Sequence, residues 1–350
     1  MLFAILGAAL SLGAQEFMAL EPSEAGPDFP VQGEYLGQAA LPGGGSEALA
    51  VQVVAYGDGE FRAVFYPGGF PGAGWTGAGR AQVAGRRAGS LTTFPEGEYT
   101  GTLGGDSLQG ESAAGARFRL ARVNRLSPTL NLAPPAQATV LFDGGSLAAW
   151  DTGSVDARGL LSPVYPLSGT RKSFASFSLH LEFRPPFMPF ARSQNRGNSG
   201  VKFLAPGIQV TEVQIMDSFG NLPSGEECGA LEPDYPPDFN ASLPPLTWQT
   251  YDMHVTAPVF ADTGKVRDGL ITVWHNGILV QSARPLTAMP REMTLALQQH
   301  NQGVYFRNLW IVEGDDRFPF FPGTTLRPRP RRGVRVLAGN RQYRLDGRRW

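Results

Sequence analysis

The sequence predicts an all-β protein built as two units, on three observations. Apolar residues recur at every second position in short bursts. Glycine and proline are abundant, at 44 and 29 of 350 residues. No stretch carries Ala, Leu, Glu and Lys at helical spacing. Alternation with period two, broken by frequent turns, belongs to strands of sandwiches and barrels. At this length about two domains are expected, each with enough chain to bury a core.

The N-terminus reads LFAILGAALSLGAQ from Leu2 to Gln15, an apolar run that ends in small residues and sets residues 1–14 apart. It is too short to span a bilayer and fits the core of a signal peptide cleaved near Ala14. No cysteine follows it, so it offers no lipoprotein anchor. Export, to the periplasm or beyond the cell, is the expectation. No later segment is long and apolar enough to cross a membrane.

Residues 28–124 read as a small antiparallel β domain. ALAVQVVAYGDGEFRAVFYPGG sets two alternating runs around Gly-Asp-Gly, the strongest hairpin signal in the chain. GEYTGTLGGDSLQGE repeats the device, and the unit has few candidate catalytic groups. Residues 125–137 are a linker, aperiodic and stiffened by Pro-Pro towards polyproline II. Residues 138–314 hold at least seven strand-like runs, among them SFSLHLEFR, SGVKFLA, TEVQIMD, WQTYDMHVTA and MTLALQQH, and read as a sandwich. Residues 315–350 are rich in Arg and Pro and show no core pattern.

The net charge of −1 hides an asymmetry. From Arg327 onward nine Arg face one Asp, about +8, which leaves about −9 for the rest. Positive charge confined to one end, with no recognition motif, points away from a nucleic-acid partner. The single cysteine, Cys228, excludes an intrachain disulfide and a site built on several thiolates, and reads as a small buried hydrophobe.

LFDGGSLAAW, NSGVKF, EVQIMDS, CGAL, ITVWHNGILVQ and LQQHNQGVYFRNLWI occur in that order over roughly residues 138–314. Together they resemble the 3-keto-disaccharide hydrolase domain. The resemblance implies a concanavalin-like jelly-roll sandwich of two antiparallel sheets, in an exported protein that acts on an oligosaccharide or glycoside. Two positions depart from the pattern: Glu232 stands where an aromatic is usual, and Leu204 where an Arg is common.

Strand alternation assigns sides. Val213 and Ile215 face one way in TEVQIMD, with Glu212, Gln214 and Met216 opposite. Leu295 and Leu297 oppose Ala296, Gln298 and His300. Val201 and Phe203 oppose Asn198, Gly200 and Lys202. Leu179, Leu181 and Phe183 oppose His180 and Glu182. If the four strands are neighbours, as the resemblance implies, their polar row is a saccharide floor. The catalytic candidates are Glu212 and His300. Gln214, Gln298, Lys202, Asn198 and Glu182 are the candidates for binding substrate. Asp217 reads as tying a loop, Arg307 and Asn308 as locking strands, and His275, Asn276 and Gly277 as a structural turn.

The chemistry implied by a 3-keto sugar follows from its acidity. The ketone at C3 acidifies the C2 proton, and the glycosidic oxygen on C1 is β to the resulting carbanion. Elimination followed by hydration then cleaves the bond without the paired carboxylates of ordinary glycosidases. His300 or Glu212 is the candidate base, and Gln214, Gln298 or Lys202 the holder of oxyanionic charge. A divalent cation held by Glu212 and His300 is an alternative Lewis acid. A lectin-like carbohydrate-binding module is the competing reading, because one fold serves both uses. The jelly-roll glycosidase signature Glu-x-Asp-x-x-Glu is absent, since EVQIMD puts Gln214 at its third position.

Overall fold

The structure, a computed structural model, describes residues 17–232, 235–314, 335–338 and 341–343. The signal-peptide segment and most of the Arg-rich tail lie outside these residues.

Eight strands form the first unit: β1 (Gly33–Ala40), β2 (Ser46–Gly57), β3 (Glu60–Pro67), β4 (Ala81–Ala88), β5 (Leu91–Phe94), β6 (Tyr99–Gly104), β7 (Ser107–Ser112) and β8 (Arg117–Leu126). They run up and down in chain order, and pairing of β1 with β8 closes them into a barrel. Closure removes the free edges that would otherwise invite aggregation. Leu49, Val51, Val53 and Ala55 of β2 meet Phe61, Ala63 and Phe65 of β3 in its core. Asp58 and Gly59 join the two strands with φ of +52° and +73°, the left-handed pair that a two-residue hairpin needs.

The second unit comprises β9 (Thr139–Phe142), β10 (Ser154–Val155), β11 (Leu161–Ser162), β12 (Leu167–Gly169), β13 (Phe177–Arg184), β14 (Ser199–Ala205), β15 (Ile208–Ile215), β16 (Leu231–Glu232), β17 (Gln249–Thr256), β18 (Val259–Ala261), β19 (Gly264–Arg267), β20 (Gly269–His275), β21 (Ile278–Leu286), β22 (Thr294–Gln298) and β23 (Tyr305–Glu313). One sheet runs β10-β11-β23-β13-β17-β20-β21, with β9 added on β23. The other runs β12-β22-β14-β15-β16. All pairings are antiparallel, as the jelly-roll reading expects, and the described residues contain no α-helix.

The sandwich core lies between these sheets. Phe177, Leu179, Leu181 and Phe183 of the larger sheet face Val201, Phe203, Val213, Ile215, Leu295 and Leu297 of the smaller. Each such side chain contributes roughly 1.5–3 kcal/mol by leaving water. A bulge between β13 and β23 falls at His180 and Glu182, where Asn308 has a φ of +50°. It resets the parity of β23, so Phe306, Leu309 and Ile311 all point inward.

Barrel and sandwich are packed together. Phe187, from the sandwich, is fully buried within the barrel's core cluster and meets Phe29 edge-on at 5.3 Å. Arg62 donates to Asn221 at 2.8 Å and Arg80 to the Gly220 carbonyl at 2.9 Å. Part of the tail also belongs to a sheet. Short strands β24 (Arg335–Ala338) and β25 (Arg341–Tyr343) pair with each other, and β24 adds to β8.

Candidate functional site

Sheet order decides which polar residues meet. β22, β14 and β15 are consecutive in the smaller sheet, and β16 closes its edge. Register then lays down one row, Glu232↔Glu212 and Lys202↔Glu212 with Ala296 beyond, and a parallel one through Gln214↔Gly200. All of these point away from the sandwich core.

The centre of the row is a buried ion pair. Lys202 Nζ donates to Glu212 Oε2 at 2.5 Å and to Gln209 Oε1 at 2.9 Å. The two side chains are only 12% and 2% exposed. Gly200 makes room for the carboxylate, since a Cβ there would lie 1.9 Å from Glu212 Oε1. An ammonium has three N–H donors, so one stays available to a ligand.

Gln214 is locked. Its Oε1 accepts from the Ile215 amide at 3.0 Å, while Nε2 donates to Gln194 Oε1 and to Glu232 Oε1, each at 3.1 Å. Both amide protons are used, so Gln214 orients its neighbours and has no donor to spare for a substrate oxyanion. Asn198 donates to the Gln194 carbonyl at 3.1 Å, and Gln302 Nε2 donates to the same oxygen at 3.1 Å. The short 193–195 turn thereby roofs one side of the floor. The Asn198 Oδ1 is buried with no partner, an acceptor available to a hydroxyl.

Gln298 is half-buried at the end of β22, and His300 is exposed on the loop that follows. Among the described residues, no hydrogen bond or ion pair engages the Gln298 amide or the His300 ring. They are the polar groups of the row without an intramolecular task.

Glu182 is the exception among the candidates. It lies in β13 of the larger sheet, on the far side of the sandwich core, so the expected row of four strands is a row of three. Alternation put Glu182 on an outward face correctly but could not tell which sheet that face belongs to. There its carboxylate accepts from Arg307 Nε at 2.7 Å, Asn308 Nδ2 at 3.0 Å and the Asn131 amide at 2.5 Å. Burial alone would raise its pKa. Hydrogen bonds from His180 and Asn308, with the Arg307 charge, outweigh that and hold it below the usual carboxylate value. His180 beside it bonds Asp252 at 2.7 Å and stacks on Trp310. Burial would lower its pKa, but Asp252 and then Glu182 drive it up to about 9. Thr129 of the linker donates to Asp252 at 2.6 Å, so the linker seals this cluster.

Other residues take the structural places expected of them. Asp217, just after β15, is tied to Arg196, just before β14, at 2.6 Å. His275 is fully buried against Gln249 Oε1 at 2.9 Å, and burial pushes its pKa down to about 3. Asn276 and Gly277 turn the hairpin with φ of +50° and +78°. Cys228 is buried, 3.0 Å from the Tyr251 hydroxyl, and burial raises its thiol to about 11. Trp150, Trp274 and Trp310 are buried and offer no sugar platform.

For a cation held by Glu212 and His300 the fit is poor. The Glu212 carboxylate already carries the Lys202 ammonium, and among the described residues no three His, Cys, Asp or Glu side chains are arranged to hold a metal ion. Glu232 and Gln194 are the members of this site that residue-by-residue reading misses. The signal for Glu232 was present, as a carboxylate at a position where the resembled domain usually has an aromatic.

The geometry can be set beside known proteins. Two crystal structures of candidate glycosyl hydrolases from Parabacteroides distasonis are similar to this chain. One, at 2.13 Å resolution, is 28% identical with a TM-score of 0.45, and the match covers 51% of this chain and 85% of that one. The other is 18% identical with a TM-score of 0.39, covering 53% and 99%. No curated protein matches. The model of the 3-keto-alpha-glucoside-1,2-lyase-like domain matches residues 137–312, the whole sandwich and half of the chain. This chain therefore belongs to the 3-keto-alpha-glucoside-1,2-lyase-like domain family, and it is a carbohydrate-active protein.

Proposed function

We propose that this protein cleaves 3-keto-glycosides by removing the C2 proton, eliminating the group on C1 and hydrating the product. One observation carries the reading: Lys202, Glu212 and Gln298 share one face of three adjacent strands, His300 follows on the loop after β22, and among the described residues no hydrogen bond or ion pair engages the Gln298 amide or the His300 ring. A hydroxyl-rich ligand needs such uncommitted polar groups fixed on a rigid sheet.

Of the two candidate bases, His300 is the better placed. The Glu212 carboxylate is buried and already engaged by the Lys202 ammonium. The exposed His300 ring can be reached by a substrate and can exchange a proton with solvent. As C2–H breaks, its electron pair delocalises onto O3. The remaining Lys202 N–H and the Gln298 amide are donors for that oxygen, and the hydrogen bond to Glu212 keeps Lys202 aimed. The C1–O bond then breaks and water adds at C1. The Asn198 Oδ1 suits a sugar hydroxyl.

The test is aglycone release from a 3-keto-glucoside by the wild type, Glu212→Ala and His300→Ala. Release by the wild type with deep loss in His300→Ala supports the reading. Full turnover by both variants sinks it, and glycan binding without any release would favour the lectin-like module. Export belongs to the same reading. The mature protein isolated from its host is expected to begin near Gln15, and an intact Met1 start would contradict it.

A further inference from the structure

Glu232 has no role in the reaction as drawn, yet it stands at the edge of the same floor. It is the second residue of β16, the outermost strand of the smaller sheet, with Glu212 as its register partner. Directly opposed residues of adjacent strands hold their Cβ atoms roughly 5 Å apart. Two carboxylates therefore lie side by side, in unlike surroundings. The Glu212 charge is answered by Lys202 at 2.5 Å. The Glu232 carboxylate instead accepts one bond, at 3.1 Å, from the neutral amide of Gln214. That amide cannot turn away, because its other atoms are held by Ile215 and Gln194. Among the described residues no Lys or Arg nitrogen forms an ion pair with Glu232. One oxygen is held in place, and the other is left to a ligand at a half-buried rim.

We propose that Glu232 is the proton donor to the departing glycosidic oxygen, a second catalytic residue for the cleavage put forward above, on which this inference rests. The Oε–H proton passes to the leaving oxygen as the C1–O bond breaks. The electron pair released from C2–H becomes the new C1–C2 π bond, and the leaving group departs as a neutral alcohol. Water adding at C1 then returns a proton to the Glu232 carboxylate. Gln214 is the positioning residue that aims the acid. The ionisation of Glu232 fits the part: burial raises its pKa, and so do Glu212 and Glu226, against Lys202 and His300, which lower it.

The test compares Glu232→Gln with the wild type on two 3-keto-glucosides, one with a 4-nitrophenyl leaving group and one with a methyl group. Nitrophenolate leaves without help, whereas methoxide needs a proton. The expected result is a loss of at least 100-fold on the methyl substrate and less than fivefold on the nitrophenyl one. The wild-type rate on the methyl substrate should also fall as pH rises through the raised pKa of Glu232, a limb that the variant lacks. Equal losses on both substrates, or none, overturn the proposal while leaving the cleavage itself standing. A wild type inactive on the nitrophenyl substrate would overturn the cleavage and the acid together. Glu232→Asp, which keeps the acid but shortens its reach, is expected to recover part of the methyl-glucoside rate, and a melting curve matching the wild type shows that either variant is folded.

Discussion

The sandwich carries two polar clusters, one on the outside of each sheet, and they have opposite fates. On the larger sheet His180, Glu182 and Asp252 are completely buried, and every charge meets another or a hydrogen bond. The linker lies across them, with Thr129 and Asn131 as the closing contacts. On the smaller sheet Lys202 and Glu212 satisfy each other, but beyond them lie Gln298 and His300, whose side chains no hydrogen bond or ion pair engages among the described residues. Both clusters come from the same alternation of strand side chains. What separates them is the cover. A closed network adds specificity and rigidity, whereas an open one can still bind.

Several experiments bear on that contrast, and the largest effect is expected at His300. Replacing it with alanine should lower kcat/KM on a 3-keto-glucoside by about 10²–10⁴-fold, the usual worth of a general base, with an unchanged melting temperature because the ring is exposed. A shift in stability with intact activity would reverse the assignment of this face.

Lys202→Ala should damage both properties, since it strands the buried Glu212 charge, at a cost of about 3 kcal/mol. Converting both partners to apolar residues of similar size should restore stability and leave activity lost. On the opposite sheet Asp252→Ala strands a buried imidazolium and should also cost about 3 kcal/mol, measured by denaturant unfolding, with kcat/KM within about twofold of wild type.

The sealed cluster has a pH signature as well. The His180 pKa is raised to about 9 by its carboxylate neighbours. The stabilisation from its charged form is therefore complete below the unfolded-state value of about 6.5 and is lost as pH rises through about 9. The wild-type melting temperature should fall over that window, and His180→Gln should remove the fall. The smallest effect is assigned to Gln298→Ala, a rise in KM of about fivefold, roughly 1 kcal/mol for one neutral hydrogen bond.

The hairpins at Asp58 and Asn276, the inward parity of Val213, Ile215, Leu295 and Leu297, and the two antiparallel sheets could all be read from the sequence, because each follows from local spacing and turn chemistry. Sheet membership is not local. Nothing in SFSLHLEFR separates it from SGVKFLA, so Glu182 joined the wrong row on paper. Burial of Glu212 and Gln214 was equally hidden, because the 193–195 turn and Glu232 that cover them come from distant segments. The extent of the barrel was foreshadowed by its Gly-Asp-Gly hairpin, but its closure depends on β1 meeting β8, far apart in the chain.

Among the described residues, the face of the smaller sheet leaves the Gln298 amide and the His300 ring without a hydrogen bond or ion pair, and a ligand-bound crystal structure would examine most directly whether a saccharide uses them. The ligand of choice is a 3-keto-C-glucoside with a simple alkyl group on C1, which has no leaving group to eliminate. The account expects its ring within hydrogen-bonding reach of Lys202, Gln298 and His300. A ring seated instead against the barrel, or over the linker beside Arg307, would contradict it.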